Sequence, residues 1–131
     1  MKLGYVLLYV EDVPKTVAFY EKAFGLECQM VHEMGYAEMK TGDTALGFVA
    51  HAAAETLGHS YRRTRSDETP PGVEIAFVDD DVDAAYAKAL EAGAAAVSAP
   101  EAKPWGQTVS YVRDLDGFLV EICSPVAEQT D

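Results

Sequence analysis

Trp105 is the single tryptophan among 131 residues, and it stands between Pro104 and Gly106-Gln107 at the start of an apolar, alternating segment. Strand side chains alternate between faces, so a strand beginning there puts the indole and Gln107 together at a rim. An indole face stacks on flat molecules and attracts cations, although a tryptophan at a strand end also serves as packing. Tyr36 and Tyr111 carry the same two readings, contact or packing. His32, His51 and His59 show no His-x-x-x-His spacing for a metal, and His51 falls at the end of a run expected to be a strand. Cys28 and Cys123, at unrelated spacings, read as reduced thiols rather than a disulfide or zinc framework. Arg62, Arg63 and Arg65 form the dense basic cluster, which reads as a solvated loop that offsets nearby acid. No Ser-His-Asp order, glycine-rich phosphate loop or activated cysteine pattern is present.

The elements that must position these residues come in two similar sets. Tyr5 to Leu26 and Val73 to Ala94 each begin with a short apolar run, pass an acidic turn, enter a helix-period segment and stop at a glycine, Gly25 or Gly93. The turns Glu11-Asp12 and Asp79-Asp80-Asp81 read as helix starts, because an aspartate there caps free N–H groups and suits the positive end of the helix dipole. Val13, Val17, Tyr20 and Phe24 recur at helical spacing, as do Val82, Tyr86, Ala89 and Gly93, giving each helix one buried stripe. Strands are expected at Glu27 to Val31, Gly35 to Lys40 and Thr44 to His51, with a corner at Thr41-Gly42-Asp43. Ala52 to Pro71 reads as a linker. In the second half, strands are expected at Ala94 to Ser98, Trp105 to Val112 and Phe118 to Cys123. A loop fills Ala99 to Pro104, a turn at Arg113 to Gly117 uses Gly117 for positive φ, and the tail Glu128 to Asp131 is read as loose.

Composition narrows the function classes. The net charge of −12 and the pI near 4.5 argue against nucleic acid or an anionic membrane as partner, since both call for clustered Lys and Arg. With 49% hydrophobic residues the chain can bury a core. No apolar run reaches membrane-spanning length and no basic-then-apolar leader precedes Leu3, so the expected location is cytoplasmic.

Two βαβββ modules in tandem now carry a resemblance. The entry pattern Val10-x-Asp12 followed by Phe19-Tyr20 and Gly25-Leu26, with the closing pattern Asp114-Leu115-Asp116-Gly117 to Glu121, resembles the vicinal oxygen chelate superfamily of glyoxalase I, bleomycin-resistance proteins and extradiol dioxygenases. The likeness spans Leu3 to Ser124. It implies an α+β fold of two tandem βαβββ modules whose mixed sheets curl around a cavity. Residues 1–131 would form one such domain, with module 1 at 1–58, a linker at 59–71 and module 2 at 72–125. It also implies a homodimer.

Metal-dependent members resembling glyoxalase I place a His on the first strand of each module and a carboxylate on the last. Carried over, those positions fall on Tyr5, Glu74, Gly47 or its neighbour, and Glu121. Glu121 alone keeps the expected type. Enzymes want about three protein donors for a divalent ion, usually with imidazole among them, so no metal and no other cofactor is expected here. By strand parity Tyr5, Leu7 and Tyr9 share one face of their strand, Gly47, Val49 and His51 one face of theirs, Glu74 and Ala76 likewise, and Glu121 joins Leu119 and Cys123. On the implied fold these line a concave sheet together with Glu74. Two carboxylates there need a ligand cation, an arginine, water or a shared proton.

The expected ligand set is therefore Tyr5, Leu7, Tyr36, Gly47, Val49, His51, Glu74, Trp105, Gln107, Tyr111 and Glu121. The expected function is binding and sequestration of a planar or cationic, antibiotic-like small molecule without metal-dependent catalysis. The alternative is a glyoxalase-type lyase or isomerase with a degenerate metal site, or a catalyst using a glutamate base.

Overall fold

The structure is a computed structural model that describes residues 1–126; the tail Glu128 to Asp131 lies outside the described residues. The chain forms two compact units, Met1–Thr64 and Arg65–Asp131. Unit 1 runs β1 (Tyr5–Val10), α1 (Val13–Phe24), β2 (Glu27–His32), β3 (Tyr36–Lys40), β4 (Ala45–Ala50) and α2 (His51–Glu55). Unit 2 runs β5 (Glu74–Val78), α3 (Val82–Glu91), β6 (Ala95–Lys103), β7 (Gln107–Arg113) and β8 (Leu119–Cys123). Each unit holds one open, mixed four-stranded sheet, ordered β1-β4-β3-β2 and β5-β8-β7-β6. In both, the first strand runs parallel to the last and the others pair antiparallel. The duplication expected from the sequence is thus an α+β repeat of one topology.

Both helices start as their sequences dictate. Asp12 accepts from the Lys15 N–H at 3.0 Å, and Asp81 from the Ala84 N–H at 3.1 Å. Gly25 closes α1 in the left-handed region at φ 68° and returns its N–H to Glu21 O. The α1 stripe is rotated from the expected one: Thr16, Phe19 and Ala23 are buried with Val13 and Tyr20, while Val17 and Phe24 are half-buried. The Tyr20 ring meets Phe48 of β4 at 4.8 Å, so one face of the unit 1 sheet carries the core. Leu8, Val10, Ala37, Met39 and Phe48 fill that face, which leaves alternate residues on the other.

Three segments differ from expectation. The strand expected to run through His51 ends at Ala50, and His51 opens α2 instead. The Ala52-Ala53-Ala54 run explains this, since alanine has the highest helix propensity and no branched side chain to favour a strand. In unit 2, β6 continues from Ala95 to Lys103 straight through Pro100. It pairs on one side with β7, so the missing N–H breaks no ladder, and two register shifts, Ala96/Ser98 and Ser98/Glu101, absorb the irregularity. In consequence Trp105 lies in the turn between β6 and β7 rather than on a strand.

Candidate functional site

In unit 2 the register places the chemistry on one sheet face. Glu74 stands opposite Leu119, Ala76 opposite Glu121, and Tyr111 on the other side of Glu121. Tyr111 donates to Glu121 Oε1 at 2.7 Å. The Glu74 and Glu121 side chains hydrogen-bond each other, which two carboxyl groups do through a shared proton. The two carboxyls are displaced in opposite directions. Burial and the neighbouring Glu121 charge raise the Glu74 carboxyl above the usual range. Burial also pushes Glu121 up, but hydrogen bonds from Cys123, Tyr111 and Glu74 outweigh it and hold Glu121 below. Among the described residues neither carboxyl forms an ion pair.

The neighbours respond to the same charge. The hydrogen bond to Glu121, followed by burial, pushes the Tyr111 phenol up to about 12. Burial, then Glu121, pushes the Cys123 thiol up to about 11, so this cysteine stays a neutral donor. Farther along β7, Gln107 Nε2 donates to Ser124 O at 2.9 Å while its Oε1 accepts the indole N–H of Trp105 at 2.7 Å. Trp105 is 53% exposed, so its ring is held by that bond with much of its surface open to solvent. From Gln107 to Tyr111 is four residues, about 13 Å along the strand.

Unit 1 repeats the arrangement with the groups moved one strand over. Leu7 and Glu38 stand on either side of Gly47 in register, and Tyr36 stands beside Val49. Tyr36 donates to Glu38 Oε2 at 3.0 Å, and Gln29 Nε2 donates to Glu38 Oε1 at 3.2 Å. Burial, then Glu38, pushes the Tyr36 phenol up to about 12. The space that Gly47 vacates is already taken: a Cβ there would lie 2.5 Å from Leu7 Cδ2 and 3.2 Å from the Tyr36 hydroxyl. Tyr5 is 60% and Leu7 44% exposed.

His51 departs from its expected place on the Gly47 face. It is buried in α2 and bonds through Nδ1 to the Tyr61 hydroxyl at 2.7 Å. Tyr61 packs edge-on against Tyr9, whose hydroxyl meets His59 Nε2 at 3.0 Å. Sequence reasoning missed this cluster, along with Glu38 and Gln29. The i, i+2 spacing of Tyr36 and Glu38 on one strand was the available signal for Glu38.

The donor set does not fit the divalent ion implied by glyoxalase I-like relatives. Tyr5 offers an exposed phenol in place of imidazole, Gly47 offers no donor, and Glu121 already accepts from Tyr111 and Glu74. Among the described residues, no group of three or more His, Cys, Asp or Glu gathers closely enough to hold a metal. No helix among them is long and apolar enough to cross a membrane.

Comparison with known proteins agrees with the duplicated fold. The family model described as the Glyoxalase/Bleomycin resistance protein/Dioxygenase superfamily matches residues 2–122. The chain is 29% identical over 124 residues to the uncharacterized protein YraH of Bacillus subtilis strain 168, covering 93% of this chain and 97% of YraH. Among solved structures, a glyoxalase-related enzyme from Fulvimarina pelagi superposes with a TM-score of 0.82 at 19% identity, covering 95% of this chain and 88% of that one. A glyoxalase/bleomycin resistance protein/dioxygenase family enzyme from Burkholderia phytofirmans PsJN gives 0.78 at 22% identity, with 95% and 98% covered. At these identities the solved structures speak for the fold, and the family match over nearly the whole chain speaks for kinship. The chain belongs to the glyoxalase/bleomycin resistance protein/dioxygenase superfamily.

Proposed function

We propose that the protein binds and sequesters a flat, positively charged small molecule on the unit 2 sheet face. The observation that carries this reading is the Glu74–Glu121 pair. It is oriented by Tyr111, forms no ion pair among the described residues, and shares its face with Gln107, which holds the Trp105 indole. Glu121 retains lone pairs beyond those that Tyr111 and Glu74 engage, and a cationic donor gains a charge-assisted hydrogen bond there. The indole, held by Gln107 about 13 Å along β7 from Tyr111, offers a stacking surface for a ring. Tyr5, Leu7, Tyr36 and Val49, the remaining expected contacts, lie in unit 1. The cytoplasm and a homodimeric state complete the reading, the latter checked by light scattering.

Quenching of Trp105 fluorescence by proflavine, a flat aromatic cation, tests the proposal against acridone, a flat neutral one. Saturable quenching by proflavine at concentrations about tenfold or more below those needed for acridone supports it. Equal responses, or none, contradict it.

A second reading rests on one specific observation, the opposite displacement of the two carboxyls. A carboxyl raised beside one lowered sets an acid next to a base, the arrangement of proton-transfer catalysts. Turnover of a glutathione hemithioacetal that disappears in Glu121→Gln would favour this reading.

A further inference from the structure

Glu38 is a further carboxylate on a sheet face, and nothing assigned so far uses it. It is half-buried on β3, flanked by β2, which supplies Gln29, and by β4, which presents Gly47 in register. Both carboxylate oxygens accept from neutral donors, Oε1 from Gln29 and Oε2 from Tyr36. These bonds fix the plane of the group and leave each oxygen a further lone pair. Among the described residues Glu38 forms no ion pair. A partly desolvated, oriented carboxylate gains most from a planar donor that meets both oxygens at once. Gly47 directs no side chain across the ladder toward it, and the exposed Tyr5, two strands away on β1, shares the parity of Leu7 and so this sheet face. An exposed aromatic ring on the same sheet face as a carboxylate suits a cation with a flat body.

We propose that Glu38, with Tyr36, Gln29 and Tyr5, forms a second binding site, in unit 1, for an amidinium or guanidinium group. The site takes two parallel N–H donors on the two free lone-pair positions of Glu38, with the ligand's flat face toward Tyr5. It is independent of the carboxyl pair in unit 2.

Two-dimensional amide NMR with benzamidinium chloride tests this, with neutral benzamide as comparator. Saturable shifts of the Tyr5, Gln29, Glu38 and Gly47 amides are expected with benzamidinium, with benzamide at least tenfold weaker. Glu38→Gln should weaken benzamidinium binding about tenfold while its melting temperature stays within a few degrees of the wild type. Tyr36→Phe, which keeps the carboxylate but frees one oxygen, should retain binding more nearly than Glu38→Gln does. Absence of saturable shifts at these amides, or equal affinity in Glu38→Gln, overturns the proposal. Trp105 fluorescence reports unit 2 separately. A fluorescence response without unit 1 shifts contradicts this site and leaves the unit 2 reading standing; unit 1 shifts with silent fluorescence support it and count against the other.

Discussion

Across the β7–β8 ladder, Tyr111 stands in register with Glu121 and donates its hydroxyl hydrogen to Oε1 at 2.7 Å. The bond favours the ionised form of Glu121, whose charge in turn helps to raise the neighbouring Glu74. Replacing Tyr111 with Phe removes this donor and leaves burial to act on Glu121. Its titration, followed by carboxyl carbon NMR, is expected to move upward, and the Tyr111→Phe protein should bind a cation less tightly near neutral pH. An unmoved titration would show that the phenol does not hold the carboxylate.

The carboxyl pair also sets a pH dependence of stability. Glu74 is raised in the folded state, so its contribution is full below the ordinary glutamate value of 4.5 and is lost as pH rises through the raised value. Glu121 is lowered, so its contribution is present above the ordinary value and is lost as pH falls through the lowered one. Melting temperature should therefore decline on the alkaline side as Glu74 ionises beside Glu121. Glu74→Gln, which cannot ionise, should flatten that decline; a profile identical to wild type would contradict the shared proton.

The β7–β8 turn is the most exacting backbone in unit 2. Asp114 is buried, and its Oδ1 accepts from the N–H groups of Asp116 at 3.1 Å, Gly117 at 2.9 Å and Phe118 at 2.8 Å. Asp114→Ala leaves these donors without that acceptor and should cost about 3 kcal/mol in urea unfolding. Gly117 sits at φ 99°, where a Cβ would come within 2.6 Å of Arg113 Nη2 and 2.8 Å of Arg65 O. Gly117→Ala should cost at least about 2 kcal/mol, and a loss under ~0.5 kcal/mol for either variant would refute this account of the turn.

In unit 1 the contact at Gly47 calls for a milder outcome. Gly47→Ala meets the end of the flexible, partly exposed Leu7 side chain, which can move, and the Tyr36 hydroxyl, which must give slightly. A destabilisation of about 1 kcal/mol is expected. It should shrink in a Leu7→Ala background, and additive effects of the two substitutions would show that the crowding is elsewhere.

How far the sequence could be read follows from these same residues. The repeat, the aspartate caps and the Gly117 turn were legible because each depends on neighbours within a few positions. The faces of Glu74 and Glu121 followed from strand parity. His51 and Trp105 were misplaced because element ends are set by weak local preferences, the alanine run in one case and an edge strand tolerant of proline in the other. The Glu74–Glu121 bond depends on the parallel pairing of β5 with β8, across some forty residues of chain, which no local pattern encodes. The same holds for Leu7 occupying the space over Gly47.

The account rests on unit 2 answering positive charge with its carboxyl pair. Isothermal titration of proflavine into wild-type protein and into the Glu74→Gln/Glu121→Gln variant tests this most directly, with melting temperatures confirming that both are folded. The account predicts saturable binding to the wild type that weakens about tenfold or more in the variant, as loss of a charge-assisted contact requires. Equal affinities, or no binding to the wild type, would contradict it.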